Sequence, residues 1–385
     1  MNRSITIIGA GPVGIIFALL NKSLNDKISL LESNSEDQVK DDKRALALSN
    51  GSKFILEKIN VWNDLYTKLT PINTIHTSQK GTFGRTLMKA EEFEEESLGF
   101  IVSYGDLITS LNKKLSNSKN IEVFYNAEAL SFENKDQKQT LIYKQNSEKK
   151  IIDCDLLVLA DGGRSKIKGI NIKRTDKYFA HSALVCSIET DIPHSYVAYE
   201  RFTSMGPMAL HPNLNGKYSL VWTGPKDDIN SLIDLDDSKF LIALQDHFGE
   251  RVGNFKSCKK RITFPLKQSF ISEYPNKNIA IIGNSAQVMH PVAGQGLNTG
   301  IRDAFILADC IESKDIDFDI KSMINKFKDR RKKETKNILK LTESIVTIFS
   351  NDFVGVNKFR GIALSFLDLI PPIKKRFVKK MSYGK

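Results

Sequence analysis

Residues 4–32 restrict the fold more than any other part of the chain. Ser4 to Ile8 is a short β-branched run, Gly9-Ala10-Gly11-Pro12-Val13-Gly14 is a glycine-rich turn, Ile15 to Leu20 opens a helix, and Lys27 to Leu31 is a second apolar run ending at Glu32. That order of strand, turn, helix and strand predicts parallel strands joined by a right-handed crossover. The glycines of a GxGxxG allow a tight turn and close backbone approach, the helix N-terminus faces a pyrophosphate, and an acid at the end of the second strand accepts from ribose hydroxyls. Glu32 stands eighteen residues after Gly14. Gly9, Gly11, Gly14 and Glu32 are therefore candidates for a dinucleotide site, against a reading in which the glycines only pack helix on strand.

Arg3 followed by the apolar run Ile5 to Leu20 imitates a signal peptide, but the run is 16 residues, short of a membrane span. Glycines and a proline punctuate it, and no small-residue cleavage site follows before Asn21-Lys22, so it is expected to be a retained structural element. A length of 385 residues favours two domains or one core carrying a large insertion, and 41% hydrophobic with 26% charged residues argues against wholesale disorder and against a polytopic membrane protein. Cys154, Cys186, Cys258 and Cys310 form no CxxC pair, so neither a zinc site nor a disulfide framework is indicated and a reducing cytoplasm is the default. The net charge of +11 is not spread evenly: residues 321–385 hold 17 Lys+Arg against 5 Asp+Glu, leaving 39 against 40 for the rest. The basicity belongs to one tail.

Further along, Asp155 to Ala160 is a buried-strand signal running into Asp161-Gly162-Gly163, and Asn278 to Ile282 is another, followed by glycines and a helix to about Ile311. Between them the texture changes to β-branched or alternating runs at Ala183 to Ile188, Tyr196 to Phe202 and Tyr218 to Thr223, which predict an antiparallel sheet. The glutamate cluster within residues 88–98 is expected to be an exposed segment, and the lysine-rich stretch 131–150 a surface hairpin. The expected boundaries are 1–177, carrying some elements of the second domain, then 178–275, 276–320 and a basic helical tail 321–385. The first domain is thus interrupted by the second.

Arg44, in Lys43-Arg44-Ala45-Leu46, reads by composition as a solvated charge at a helix start, and Asp161 either reaches a cofactor or makes a turn. The segment Asn278 to Asp303 presents a second helix N-terminus beside Pro291-Val292-Ala293-Gly294-Gln295-Gly296-Leu297-Asn298, where backbone N–H groups could stabilise an anionic ring or an oxyanion.

Together the three strand-to-glycine elements resemble the GxGxxG, DG and GD motifs of the single-component flavin aromatic hydroxylases. The stretch HPVAGQGLNTGIRD, His290 to Asp303, is similar to the signature of their ubiquinone-biosynthesis branch. The likeness continues through Glu200 to Thr203, Gly206 to Pro212, Ser219 to Trp222, Phe264 to Leu266, and the tail at Arg360-Gly361 and Lys374-Lys375. This resemblance implies an α/β fold in which a Rossmann-type FAD-binding domain is interrupted by an antiparallel-sheet substrate domain, with a helical C-terminal tail. It implies FAD, with Gly9, Gly11, Gly14 and Glu32 at the ADP half and Arg44 as a cofactor contact. Asp161 would lie near FAD and a transient NAD(P)H site, Gly283 and Asn284 at the ribityl chain, and Pro291, Gly294, Gln295, Gly296, Leu297 and Asn298 along the isoalloxazine.

The implied reaction is hydroxylation of the aromatic ring of a polyprenylated ubiquinone precursor by dioxygen, through a flavin C4a-hydroperoxide, with NAD(P)H as reductant and no metal. His211 and His290 are candidates by residue type for a general base. Two positions depart from the family pattern: Asn284 replaces the aspartate of the GD motif and Gln287 replaces a histidine. Asn284 keeps a carbonyl acceptor and loses a charge, a difference of roughly 1 kcal/mol in a hydrogen bond to a ribityl hydroxyl. A flavin reductase or dehydrogenase that never activates oxygen is the enzymatic alternative. A non-catalytic accessory flavoprotein of a quinone-biosynthesis assembly is the other, supported by Asn284 and Gln287.

Apolar residues recur at helical spacing at Ile338, Leu341, Ile345 and Ile348, and again at Phe359, Ile362, Phe366, Ile370, Ile373 and Phe377, where Pro371-Pro372 must break or restart the pattern. Lys374, Lys375, Arg376, Lys379 and Lys380 flank the second stripe, as in an interfacial helix facing anionic lipid. The expected location is cytoplasmic, peripheral at the inner face of the membrane. No nucleic-acid recognition module accompanies the charge.

Overall fold

The computed structural model describes residues 3–22, 26–40, 42, 44–81, 84–135, 138–275, 278–289, 294–313, 319–332, 368 and 370–384. At its centre is a five-stranded parallel sheet in the order Ile279–Ile281, Leu156–Leu159, Ser4–Ile8, Lys27–Leu31, Ile121–Phe124. The four runs expected to be buried strands lie side by side within it. Their continuous apolar character follows from burial on both faces. Ile5, Ile7, Ile28, Leu30, Leu156 and Val158 face one hydrophobic cluster, whereas Ile8, Leu31, Leu157, Leu159, Ile279 and Ile281 face another.

Helices cover the first face. Tyr104–Leu115 is N-capped by Ser103, whose hydroxyl accepts from the Asp106 N–H at 3.0 Å, and presents Leu107, Ile108, Leu111 and Leu115 on one side. Pro12–Leu20 and Gln295–Glu312 complete the layer. The second face is covered by a three-stranded antiparallel sheet, Ala127–Lys135, Lys138–Gln145 and Glu148–Cys154, through Ala127, Ala129, Phe132, Leu141 and Tyr143. The surface hairpin expected at 131–150 is part of it.

The second domain is a nine-stranded sheet built mainly of antiparallel pairs. Its longest strand, Lys173–Thr190, runs across the expected boundary at 177/178, and it recruits Thr74–Gln79 and Arg85–Lys89 from the first segment. Strand alternation sends Leu184, Met208, Leu210, Leu220 and Trp222 to one face, where helices Lys226–Asp234 and Asp237–Phe248 bury them with Ile229, Leu232, Phe240 and Phe248. The opposite face of the same strands is left for the site.

Three local expectations are corrected. Arg44 precedes a strand, Ala45–Leu48, not a helix, because those residues pair antiparallel with Gly99–Ser103. The 88–98 segment is not simply exposed: Met88, Ala90 and Leu98 are buried, and its acids hold other parts of the chain. Glu92 binds Lys374 at 2.6 Å, Glu96 binds Lys53 at 2.7 Å, and Glu95 accepts from the Tyr383 hydroxyl at 2.8 Å.

The third correction concerns the tail. Pro371 restarts a helix, Pro371–Tyr383, whose Val378 packs with Met88, Ala90 and Leu98, joined by Phe377. The stripe expected to meet lipid therefore meets protein at Phe377. Lys375, Arg376 and Lys379 remain outward beside Ile373, which is 52% exposed. The stripe residues 338–366 lie outside the described residues.

Candidate cofactor and substrate site

The glycines of the first turn have separable jobs. A Cβ on Gly14 would lie 2.1 Å from the Gly9 carbonyl oxygen, and one on Gly9, at φ +102°, would lie 2.7 Å from the Ala160 oxygen. Both are required by packing. Gly11 is different: its Cβ would meet nothing nearer than the Tyr104 hydroxyl at 3.6 Å, and its φ of −75° suits any residue. Gly11 is also the N-cap of helix Pro12–Leu20, with no side chain capping the first turn. An open cradle at an uncapped helix N-terminus fits a pyrophosphate. Glu32 fixes the turn beside it, accepting from the Ala10 N–H at 3.0 Å through one carboxylate oxygen and from the Asn34 backbone and side chain through the other.

A second uncapped N-terminus belongs to helix Gln295–Glu312, entered through Gly294 at φ +59°. Gly300 brings the two helices together, its Cα so placed that a Cβ would lie 2.8 Å from Val13 Cγ2 and 3.1 Å from the Gly283 Cα. Asn298 is 2% exposed and spends its whole amide on positioning. It accepts from the Ser49 N–H and Ser52 hydroxyl, and donates to the Ala47 and Gly294 carbonyls, at 2.7–2.9 Å. Gln295 is buried near the tail helix, reaching the Met381 carbonyl at 3.5 Å. Gly283 donates its N–H to Asp303 at 3.0 Å, and the fully buried Asp303 is ion-paired with Arg331, itself 4% exposed, on the helix at 320–332.

Asp161 makes the turn that the sequence left as one of two choices. Its carboxylate accepts from the Gly163 and Ser165 N–H groups and from the Ser285 hydroxyl, tying the second glycine element to the third. Burial pushes this carboxyl up, but those hydrogen bonds outweigh it and hold it below the usual range. Arg44 is clamped by both oxygens of Asp42 at 2.8–2.9 Å and lies over the Tyr104 ring, the residue that faces Gly11. Gln287 is buried with its amide nitrogen unpartnered among the described residues. His290 and Pro291 lie outside the described residues.

A cavity of about 910 Å³ joins these elements to the free face of the large sheet. Arg44, Asn284, Gly294, Gly296 and Leu297 line one side, and Val185, Ala209, His211, Ser219 and Val221 line the sheet side. His211 also faces Glu200, with His211 Nε2 3.8 Å from Glu200 Oε1. Glu200 pairs in register with Ala209 on the neighbouring strand, two residues from His211, so strand geometry puts both side chains on one face. Sequence reading did not single out Glu200, Tyr104, Asp303 or Arg331. Glu200 and Asp303 lie within stretches that carry the family resemblance, but no local signal gave either of them a role.

The parallel sheet and the two uncapped helix ends define a Rossmann-type dinucleotide-binding protein. Residues 2–314 match the family described as FAD binding domain, and the chain belongs to that family, with FAD as its cofactor. It is an FAD-dependent monooxygenase, in the group that includes the ubiquinone hydroxylases. It is 28% identical over 382 residues to an uncharacterized protein of Synechocystis, covering 98% of this chain and 92% of that one. The ubiquinone biosynthesis monooxygenase COQ6 of Dictyostelium discoideum is 24% identical over 449 residues, covering 97% and 90%. In fold, p-nitrophenol 4-monooxygenase PnpA of Pseudomonas putida superposes with a TM-score of 0.83 at 14% identity, covering 100% of this chain and 98% of that one.

Proposed function

We propose that the protein hydroxylates the aromatic ring of a polyprenylated ubiquinone precursor, with NAD(P)H as transient reductant and dioxygen as the oxygen source. The observation that carries this reading is the single cavity that runs from an uncapped helix N-terminus to a His–Glu pair on the substrate sheet. The match of nearly the whole chain to a named ubiquinone-biosynthesis monooxygenase supports the substrate class.

Bound FAD supplies the electron transfer and oxygen activation that side chains cannot. Everything else falls to the chain. The first-turn N–H groups of helix Gln295–Glu312 carry the positive end of the helix dipole and would stabilise negative charge on a cofactor ring placed there. Gly11 would leave the pyrophosphate its place at the other helix end, in a turn that Gly9, Gly14 and Glu32 hold in shape, and Arg44 at the cavity wall would contact the cofactor. Ile101, Val185, Ala209, Val221 and Met289 line the cavity and keep water from the reacting ring. His211 Nε2 accepts the phenol proton, which makes the ring carbon more nucleophilic, and Glu200 stabilises the imidazolium that results.

A short-chain prenylated phenol tests the assignment. His211→Gln is expected to slow its hydroxylation by about 10²-fold or more and to leave bound FAD unchanged. An unaltered rate would eliminate His211 as the base.

The outward Lys375, Arg376 and Lys379 place a basic surface at the end of the chain, suited to anionic headgroups. Peripheral association with the inner face of the membrane is part of the proposal. Among the described residues no helix is long and apolar enough to cross a membrane. Changing Lys375, Arg376 and Lys379 together to Gln is expected to reduce flotation with anionic vesicles; undiminished flotation would remove the tail from the account.

A further inference from the structure

On the helix-covered side of the large sheet, remote from the cavity face, three arginines gather around one buried histidine. Arg201, Ser78 and Arg85 are cross-strand partners in one row, and Tyr199, His76 and Leu87 form the next row on the same face. Glu200, between Tyr199 and Arg201, points to the cavity instead, as strand alternation requires. Arg251, in the turn after helix Asp237–Phe248, closes the group by placing Nη1 3.0 Å from His76 Nε2. Arg201 Nη1 donates to the Ser78 hydroxyl at 3.2 Å.

The partners of Arg201 and Arg251 are thus neutral, and among the described residues no carboxylate pairs with any of the three arginines. Asp246, on the adjoining helix, is 3.4 Å from Lys80 and 73% exposed. His76 is 7% exposed with Nδ1 unpartnered, and Arg201 Nε is buried and unpartnered too. Burial and then the charges of Arg251, Arg85 and Arg201 push the His76 imidazole below its ordinary value, so the ring is neutral at physiological pH and accepts from Arg251. Burial and the facing Arg251 also lower Arg201. Like charges brought together without a counter-charge repel, and an anion of charge near −2 would relieve that repulsion.

We propose that Arg201, Arg251 and Arg85 form a binding site for a phosphate-type dianion, on the face of the substrate sheet opposite the flavin cavity. The arginine forks match phosphate oxygens in geometry and charge. His76 orients Arg251, and Ser78 orients Arg201. The assignment does not depend on the substrate proposed above.

The full-length, FAD-loaded protein can be titrated with inorganic phosphate against chloride at matched ionic strength. A saturable calorimetric signal and a rise in Tm with phosphate, absent with chloride, are expected. Arg251→Gln, at an exposed position, should weaken phosphate binding about tenfold or more with FAD content unchanged, and Arg85→Gln should weaken it in the same direction. Competition by ADP or by phosphatidic acid vesicles would assign the phosphate to a nucleotide or a lipid, and competition by neither would assign it to the free ion. Equal responses to phosphate and chloride, or full phosphate affinity in both variants, would overturn the site.

Discussion

Gly14→Ala is expected to abolish stable folding, whereas Gly11→Ala, three residues away in the same motif, is expected to fold and lose FAD. The first change puts a methyl carbon 2.1 Å from the Gly9 carbonyl oxygen, backbone against backbone at a turn wedged between strand Ser4–Ile8 and helix Pro12–Leu20. Neither partner can give way without dismantling the parallel sheet, so the cost is roughly 4 kcal/mol or more, a large part of a domain's stability. The second change meets no protein atom within 3.5 Å and no backbone restriction. Its effect on unliganded stability should stay within about 1 kcal/mol. Its methyl group would stand in the space through which a pyrophosphate reaches the helix N–H groups. Thermal unfolding of the two variants, with and without added FAD, separates the effects. Equal FAD retention by Gly11→Ala and the parent would show that the cradle does not hold the cofactor.

Arg331→Ala is expected to be the most damaging change outside the glycine motifs. It would leave the fully buried Asp303 without its guanidinium partner, and removing one member of a buried ion pair costs roughly 3–5 kcal/mol. Asp303 also accepts the N–H of Gly283, so the third glycine element should loosen with it. The measurable result is a lowered denaturation midpoint accompanied by faster FAD loss on dilution. Arg331→Lys should recover part of the stability, because a cation remains but the fork does not. A loss below about 1 kcal/mol for Arg331→Ala would mean that the helix at 320–332 does not brace the cofactor site.

These two cases also show what the sequence made legible. The strand–turn–helix at 4–20 is specified by neighbours: β-branched residues, then glycines with no alternative, then a proline pre-set for the first helical turn. Buried parallel strands were readable because both faces are covered, which leaves unbroken apolar runs at 156–159 and 279–281. Pairings distant in sequence left no such trace. Ala45–Leu48 looks like the start of a helix until Gly99–Ser103 pairs with it. Five glutamates in six residues, 91–96, look like a solvated loop until the tail helix docks on them through Lys374 and Tyr383. The same holds within the site. His211 could be named from its residue type, but Glu200 becomes its neighbour only through the register of two antiparallel strands. Arg331 finds Asp303 only after the chain has returned across the first domain.

The site also explains how this chain combines a family pattern with altered residues. Asp161 and Ser285 lock the second and third glycine elements together irrespective of position 284, and Asn298 ties the first turn of helix Gln295–Glu312 to Ala47, Ser49, Ser52 and Gly294 with four hydrogen bonds. The cofactor cradle is therefore held by residues around Asn284, which itself stays exposed at the cavity wall. The charge lost at that position is expected to weaken one contact with the cofactor and to leave the scaffold intact.

The most direct measurement of the central claim is chemical. Deleting the gene in its source organism and analysing extracted quinone intermediates by mass spectrometry should reveal an accumulated polyprenylated ring one oxygen atom short of the next intermediate, restored by the parent gene and not by Gly14→Ala. An unchanged quinone pool, with no such precursor, would contradict ring hydroxylation as the function of this protein.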